Sequence, residues 1–213
     1  MLDVKGLSAS IGAIEIIRDA SLFVGDGQMC GLIGVNGAGK TTFMRAIMGA
    51  IEAHGRADFF GSELIGLPAH KRAALGIGYM PEDRRLVPEF TVEQNILLPS
   101  LSVPMPDASA RLKWIYGLLP EIARFEGRRA LELSGGQQKL VAFGRALLTG
   151  RRLLLLDEPF EGIAPVLAQR LVQVLRDLRR ERVSLLIAES NRTHVEGLLD
   201  ASFFIERGAV RAE

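Results

Sequence analysis

Gly34-Val35-Asn36-Gly37-Ala38-Gly39-Lys40-Thr41-Thr42 is the stretch on which the reading of this chain turns. It fits the pattern G-x-x-x-x-G-K-[ST] of a phosphate-binding loop. Its surroundings are those the pattern requires. The apolar run Met29–Val35 leads into it as a strand. After Lys40, Phe43/Ile47 and Met44/Met48 recur four apart, the spacing of a helix face. Glycines let the backbone curl until successive N–H groups point at one anion, and the helix start adds its positive dipole end. Lys40 supplies a mobile cation for β- and γ-phosphates, and the Thr41 hydroxyl is a Mg²⁺ ligand. A plain Gly-rich turn is the competing reading; the strand before and helix after disfavour it.

Outward from this loop, strand-like and helical segments alternate, which predicts an α/β protein. Strands are expected at 56–60, 76–80, 153–157 and 184–189, antiparallel strands at 2–7 and 13–18, and a C-terminal hairpin around Arg207-Gly208. Leu167, Leu171, Val174, Leu175 and Leu178 form one apolar stripe, read as core. Residues 81–150 look helical and differ from their flanks, so they are expected to form an inserted helical subdomain. The core would then comprise 1–80 and 151–213. Ser100–Asp107 reads as a loop.

The 213 residues suffice for one sizeable core or a core with a subdomain. Lys+Arg 26 against Asp+Glu 25 leaves a net charge of +1, so no nucleic-acid partner is expected. The single cysteine, Cys30, excludes an internal disulfide and is expected in the core. No apolar run approaches the ~18 residues of a membrane span, and no signal peptide is evident at MLDVKGLSAS. A soluble, cytoplasmic protein is expected. His54 and His70 show no metal spacing; His194 is expected at the surface or packed on a helix.

Two further stretches carry chemistry. Leu153-Leu154-Leu155-Leu156-Asp157-Glu158 is a buried strand with two carboxylates at its C-terminal end, where ligands sit in open α/β sheets. Asp157 is suited to hold Mg²⁺ through water and Glu158 to polarise the water that attacks the γ-phosphate. Leu133-Ser134-Gly135-Gly136-Gln137-Gln138-Lys139 precedes another helical pattern. It reads either as a second anion-binding helix N-terminus, serving the nucleotide of another subunit, or as a Ser N-cap with glycines for close packing.

The phosphate loop, then LSGGQQK, then LLLLDEP, with 23 residues from Ser134 to Asp157, resembles the ATP-binding subunits of ABC transporters over essentially the whole chain. That resemblance implies a P-loop NTPase core, an N-terminal antiparallel β subdomain and an inserted helical subdomain. It implies ATP and Mg²⁺, with nucleotide contacts from Ile11, Asn36, Gly37, Ala38, Gly39, Lys40, Thr41 and Thr42. Metal contacts would come from Thr41, Glu82 and Asp157. Ser134, Gly135, Gly136 and Gln137 would face the nucleotide of a second ATPase subunit, identical or different. Within the family, Pro81–Arg85, Arg111–Tyr116 and Asp157–Pro165 look most like importers of branched-chain amino acids, with amide and urea importers close. The implied partners are transmembrane permease subunits and, indirectly, a solute-binding protein, with the chain on the inner face of the membrane.

Four positions depart from the family's common form. Ile11 stands where an aromatic ring usually stacks on adenine, an interaction worth ~1–3 kcal/mol. Glu82 replaces a Gln, and Ala164 an Asp. Ser190 occupies the place of a His that contacts the γ-phosphate; losing such a donor costs on the order of 10²–10³ in rate. Glu82, Glu158 and Ser190 are the expected catalytic set. The alternative is a nucleotide-gated subunit with weak or no hydrolysis, paired with an active sister ATPase. A DNA-repair ATPase needs a long coiled-coil insert, for which the 94 residues from Lys40 to Ser134 leave no room.

Overall fold

The computed structural model describes residues 1–213. Its chain order is β1 (Leu2–Ile11), β2 (Ile14–Val24), β3 (Met29–Ile33), α1 (Lys40–Met48), β4 (Ala53–Phe59), β5 (Ser62–Glu63), α2 (Ala69–Ala74) and β6 (Ile77–Met80). Then follow α3 (Val92–Leu97), α4 (Ala108–Leu118), α5 (Pro120–Ala123), α6 (Gly135–Thr149), β7 (Leu153–Asp157), α7 (Pro165–Arg180), β8 (Ser184–Glu189), β9 (Ala201–Glu206) and β10 (Ala209–Ala212).

Two sheets form. One, ordered β2-β1-β4-β5, is antiparallel. The other, ordered β10-β9-β3-β8-β7-β6, is parallel except for the β9–β10 hairpin expected around Arg207-Gly208. Strands buried on both faces should read as continuous apolar runs, and β7 and β8 do. Leu154, Leu156, Leu185 and Ile187 point into one core with the helices α3–α7, whereas Leu153, Leu155, Leu186 and Ala188 point into a second with α1 and the antiparallel sheet. Cys30 lies in the second core, as expected, and burial pushes its thiol up to about 11.

Helices α3–α6 occupy the middle of the chain, between β6 and β7. α3 is started by a reciprocal capping box between Thr91 and Gln94. Asn95, fully buried, donates to the carbonyls of Val87, Phe90 and Thr91 and accepts from the Val87 N–H, which fixes the preceding loop. α6 runs from this region back onto the core sheet. A Cβ at Gly78 of β6 would sit 2.1 Å from the Ala146 carbonyl of α6, so only glycine permits that approach.

Two expectations are corrected in detail. The strand expected at 56–60 is the second half of β4 and ends at Phe59; Phe60 turns away with φ 50. The loop expected over Ser100–Asp107 begins inside a 3₁₀ turn, residues 98–101, that Pro99 initiates. The predicted apolar stripe is α7, with Leu171, Val174, Leu175 and Leu178 buried and Leu167 half-buried.

Candidate functional site

The phosphate loop leaves the end of β3, Asp157 ends β7, and Glu189-Ser190 leave the end of β8, which lies between them. Three adjacent strands thus deliver their carboxyl ends to one place, where open parallel sheets bind ligands. A cleft of about 380 Å³ opens there, lined by Ile16, Asn36, Gly37, Gly39, Lys40, Thr41, Thr42, Glu82 and Glu158. The loop's turns use left-handed glycines, Gly37 at φ 80 and Gly39 at φ 112, and α1 begins at Lys40 with its N–H groups toward the cleft. Of ten buried polar or charged side chains, Lys40, Thr42, Lys139, Asp157, Glu158 and Glu189 gather around this cleft, a concentration that marks function more than packing.

Lys40 Nζ lies 3.0 Å from Glu158 Oε1 and donates to the Gly34 carbonyl at 2.6 Å. Thr41 Oγ1 sits 3.2 Å from Asp157 Oδ1 and 3.3 Å from Glu82 Oε2. The Ser190 hydroxyl donates to Glu158 Oε1 at 2.6 Å and lies 2.7 Å from Asn36 Oδ1, and its N–H reaches Glu158 Oε2 at 3.3 Å. Lys40, Thr41, Glu82, Asp157, Glu158, Asn36 and Ser190 are therefore one cluster. Thr41, Glu82 and Asp157 present the hard oxygen donors that Mg²⁺ prefers.

The carboxylates have been set apart electrostatically. Burial lifts Asp157 to about 6, against the pull of Thr41. Burial also raises Glu158, but hydrogen bonds from Ser190 and Lys40 overcome it and leave the group below its ordinary value. Glu189, facing Glu158, is lifted by burial and by that neighbour to about 8. Glu158 stays ionised at neutral pH while Glu189 holds a proton.

Other expected positions lie elsewhere. Ile11 is 51% exposed at the β1–β2 turn and is not among the lining residues; Ile16 of β2 lines the cleft instead. Ala38 stays in the phosphate loop, but its side chain is buried rather than lining the cleft. Ser134 and Gln137 line a separate cleft with Glu121, Arg124 and Phe125, while Gly135 and Gly136 begin α6. Within the chain the N-cap reading of this stretch is realised: Ser134 and Gln137 form a reciprocal capping box. A Cβ on Gly136 would lie 2.8 Å from Leu167 Cδ1, so the glycine lets α7 pack closely. His194 is exposed and stacks on Phe160.

Four residues at the cluster carry no earlier assignment: Tyr79, whose hydroxyl donates to Asp157 Oδ2 at 3.2 Å, Ile16, Glu189 and Lys139. Tyr79 and Ile16 sit in apolar strand runs with no local signal. Lys139 and Glu189 adjoin motif residues, which was the signal available.

Comparison with known proteins agrees with this geometry. The family model for ABC transporter matches residues 17–161. The chain is 34% identical to the high-affinity branched-chain amino acid transport ATP-binding protein BraG of Pseudomonas aeruginosa, over 99% of this chain and 91% of BraG. It is 36% identical to the lipoprotein-releasing system ATP-binding protein LolD of Cereibacter sphaeroides, over 99% of this chain and 98% of LolD. The ADP conformation of MJ1267, an ATP-binding cassette of an ABC transporter, superposes with a TM-score of 0.85 at 26% identity, covering 99% of this chain and 89% of MJ1267.

Proposed function

The chain belongs to the ABC transporter ATP-binding family, whose members are ATPases, and from that premise we propose that it powers an importer of branched-chain amino acids or related amino acids and amides. The observation that carries the ATPase reading is the meeting of Lys40, Thr41, Asp157, Glu158 and Ser190 at the carboxyl ends of β3, β7 and β8. Loop N–H groups and Lys40 hold the β- and γ-phosphates. Thr41, Asp157 and Glu82 hold Mg²⁺, which neutralises phosphate charge when bound. Phosphate competes with Glu158 for the Lys40 ammonium, and Glu158, kept ionised, orients the attacking water. Ser190 holds that carboxylate by two hydrogen bonds, where a His would instead reach the phosphate.

Ser134–Gln137 face the nucleotide of a second ATPase subunit, alike or different; that they form the start of α6, a helix N-terminus suited to an anion, supports this reading. The Ser134 hydroxyl accepts from Gln137 and still has its proton to donate. Residues 81–150 form the helical subdomain that meets the permease. No helix is long and apolar enough to cross a membrane. Attachment to the cytoplasmic face runs through permease subunits. A solute-binding protein acts outside. The likeness to BraG supports amino-acid import; LolD, of similar identity, is named for lipoprotein release.

The direct test is phosphate release from Mg-ATP beside Glu158→Gln and Lys40→Ala, across protein concentration. We expect turnover that rises faster than linearly with concentration, falls by on the order of 10² or more in Glu158→Gln with binding retained, and disappears with binding in Lys40→Ala. A fully active Glu158→Gln contradicts the role of Glu158. Binding without turnover favours the second reading, a nucleotide gate beside an active sister subunit, which the absorption of the Ser190 hydroxyl by Glu158 motivates.

A further inference from the structure

Lys139, in the second turn of α6, is 6% exposed, and its ammonium is spent on two backbone carbonyls, Glu158 O at 2.6 Å and Glu161 O. Those carbonyls belong to the turn that leaves β7. The same turn is bridged by the Glu161 N–H to Glu158 O, and the Phe160 N–H donates to Glu189 Oε1 at 3.1 Å. Within it Glu158 takes φ 48, a left-handed conformation that residues with side chains rarely adopt. A buried ammonium is costly and is retained where its hydrogen bonds are needed. Burial pushes Lys139 below its ordinary value, and the Glu161 carboxylate pulls it back.

α6 also grips the other flank of the cleft. Arg84, two residues after Glu82, donates to Gln138 Oε1 at 3.1 Å and to the Gly135 carbonyl at 3.3 Å. Arg145 donates to the carbonyls of Arg84 and Arg85. One helix therefore holds both loops that carry Glu82 and Glu158, and its first turn is the Ser134 capping box.

We propose that Lys139 is a positioning residue that fixes the backbone of Glu158 and ties the chain's own nucleotide site to the placement of α6. A displacement of the Ser134 end of α6 passes through Lys139 to the Glu158–Glu161 turn. This rests on the water-orienting role of Glu158 proposed above.

The test compares Lys139→Met and Lys139→Arg in the turnover-competent assembly, with the sister subunit present if turnover requires it. Lys139→Met is expected to lower kcat by on the order of tenfold to a hundredfold at unchanged ATP affinity and binding stoichiometry. Amide exchange of residues 158–162 should accelerate while that of α1 does not change. Lys139→Arg should recover part of kcat, and Lys139→Met should add no further loss in a Glu158→Gln background. Unchanged kcat and exchange in Lys139→Met overturns the proposal. So does a parallel loss of kcat and binding stoichiometry, the mark of a folding defect. If Lys139→Met does not fold, Lys139→Arg decides: lower kcat and faster exchange at unchanged affinity support the proposal, and wild-type values overturn it. Full turnover of Glu158→Gln defeats the role of Glu158 alone, and the exchange measurement still tests the hold of Lys139 on the turn.

Discussion

Glu158 and Glu189 face one another across the ends of neighbouring strands, and their opposite shifts assign the shared proton to Glu189. This has a sign in stability. Glu189, raised from 4.5 to about 8, and Asp157, raised from 3.8 to about 6, keep protons in the native state that the unfolded chain releases. Their contribution is full below about pH 4 and is lost as pH rises toward 8. Glu158, lowered, works in the opposite sense and only around and below its ordinary range. Glu189→Gln keeps an acceptor for the Phe160 N–H and a donor for Glu158 that rising pH cannot remove. Urea midpoints should therefore fall less between about pH 5 and pH 8 in the variant, which should be the more stable protein at the upper end. An unchanged slope would place the proton elsewhere. Residue roles were unevenly legible. Lys40, Thr41, Asp157 and Glu158 announce themselves because glycines and strand ends must precede such groups. Ile16 did not: it sits inside β2 with no local signal, and the family resemblance points to Ile11 instead.

Among the elements, α7 starts without a side-chain cap. Ala164 is its N-cap in extended conformation, followed by Pro165 in the first turn. An aspartate there would accept from orphan N–H groups and meet the helix dipole. Ala164→Asp should stabilise the protein by about 1 kcal/mol, raising Tm by roughly 2–4 °C; calorimetry showing no gain would mean the end of α7 is satisfied in another way. α7 and β7 were readable because their periods of 3.6 and of continuous burial are strong. α3, six residues long, was visible only as part of a helical stretch. Its order comes from Asn95 tying down residues 87–91, a contact pattern that no periodicity encodes. The Ser134 stretch left two readings open for the same reason: an N-cap and an anion site use the same N–H groups.

At the scale of the molecule, the two sheets are joined beside the cleft by Gly208, in the β9–β10 turn. Its carbonyl accepts from the Arg18 N–H and its N–H donates to the Ala38 carbonyl, both at 3.0 Å. With φ 82 and a Cβ that would lie 1.8 Å from the Ile16 carbonyl, the position admits only glycine. Gly208→Ala should destabilise the fold by about 2 kcal/mol or more and weaken ATP binding, because Ile16 lines the cleft and Ala38 belongs to the phosphate loop. Normal affinity with normal Tm would contradict this. The general α/β architecture was legible from alternating segments, but which strands flank β3 was not, since sheet order is decided by long-range pairing. That order has a meaning in time. β3, which ends in the phosphate loop, is hydrogen-bonded to β8 and β9, which begin only at Ser184 and Ala201. On a ribosome the loop emerges early, while the frame that aims its N–H groups is still unmade. A chain made only as far as β7 thus has the letters of the cleft without its frame, and the loop is aimed only once β8 and β9 have joined β3.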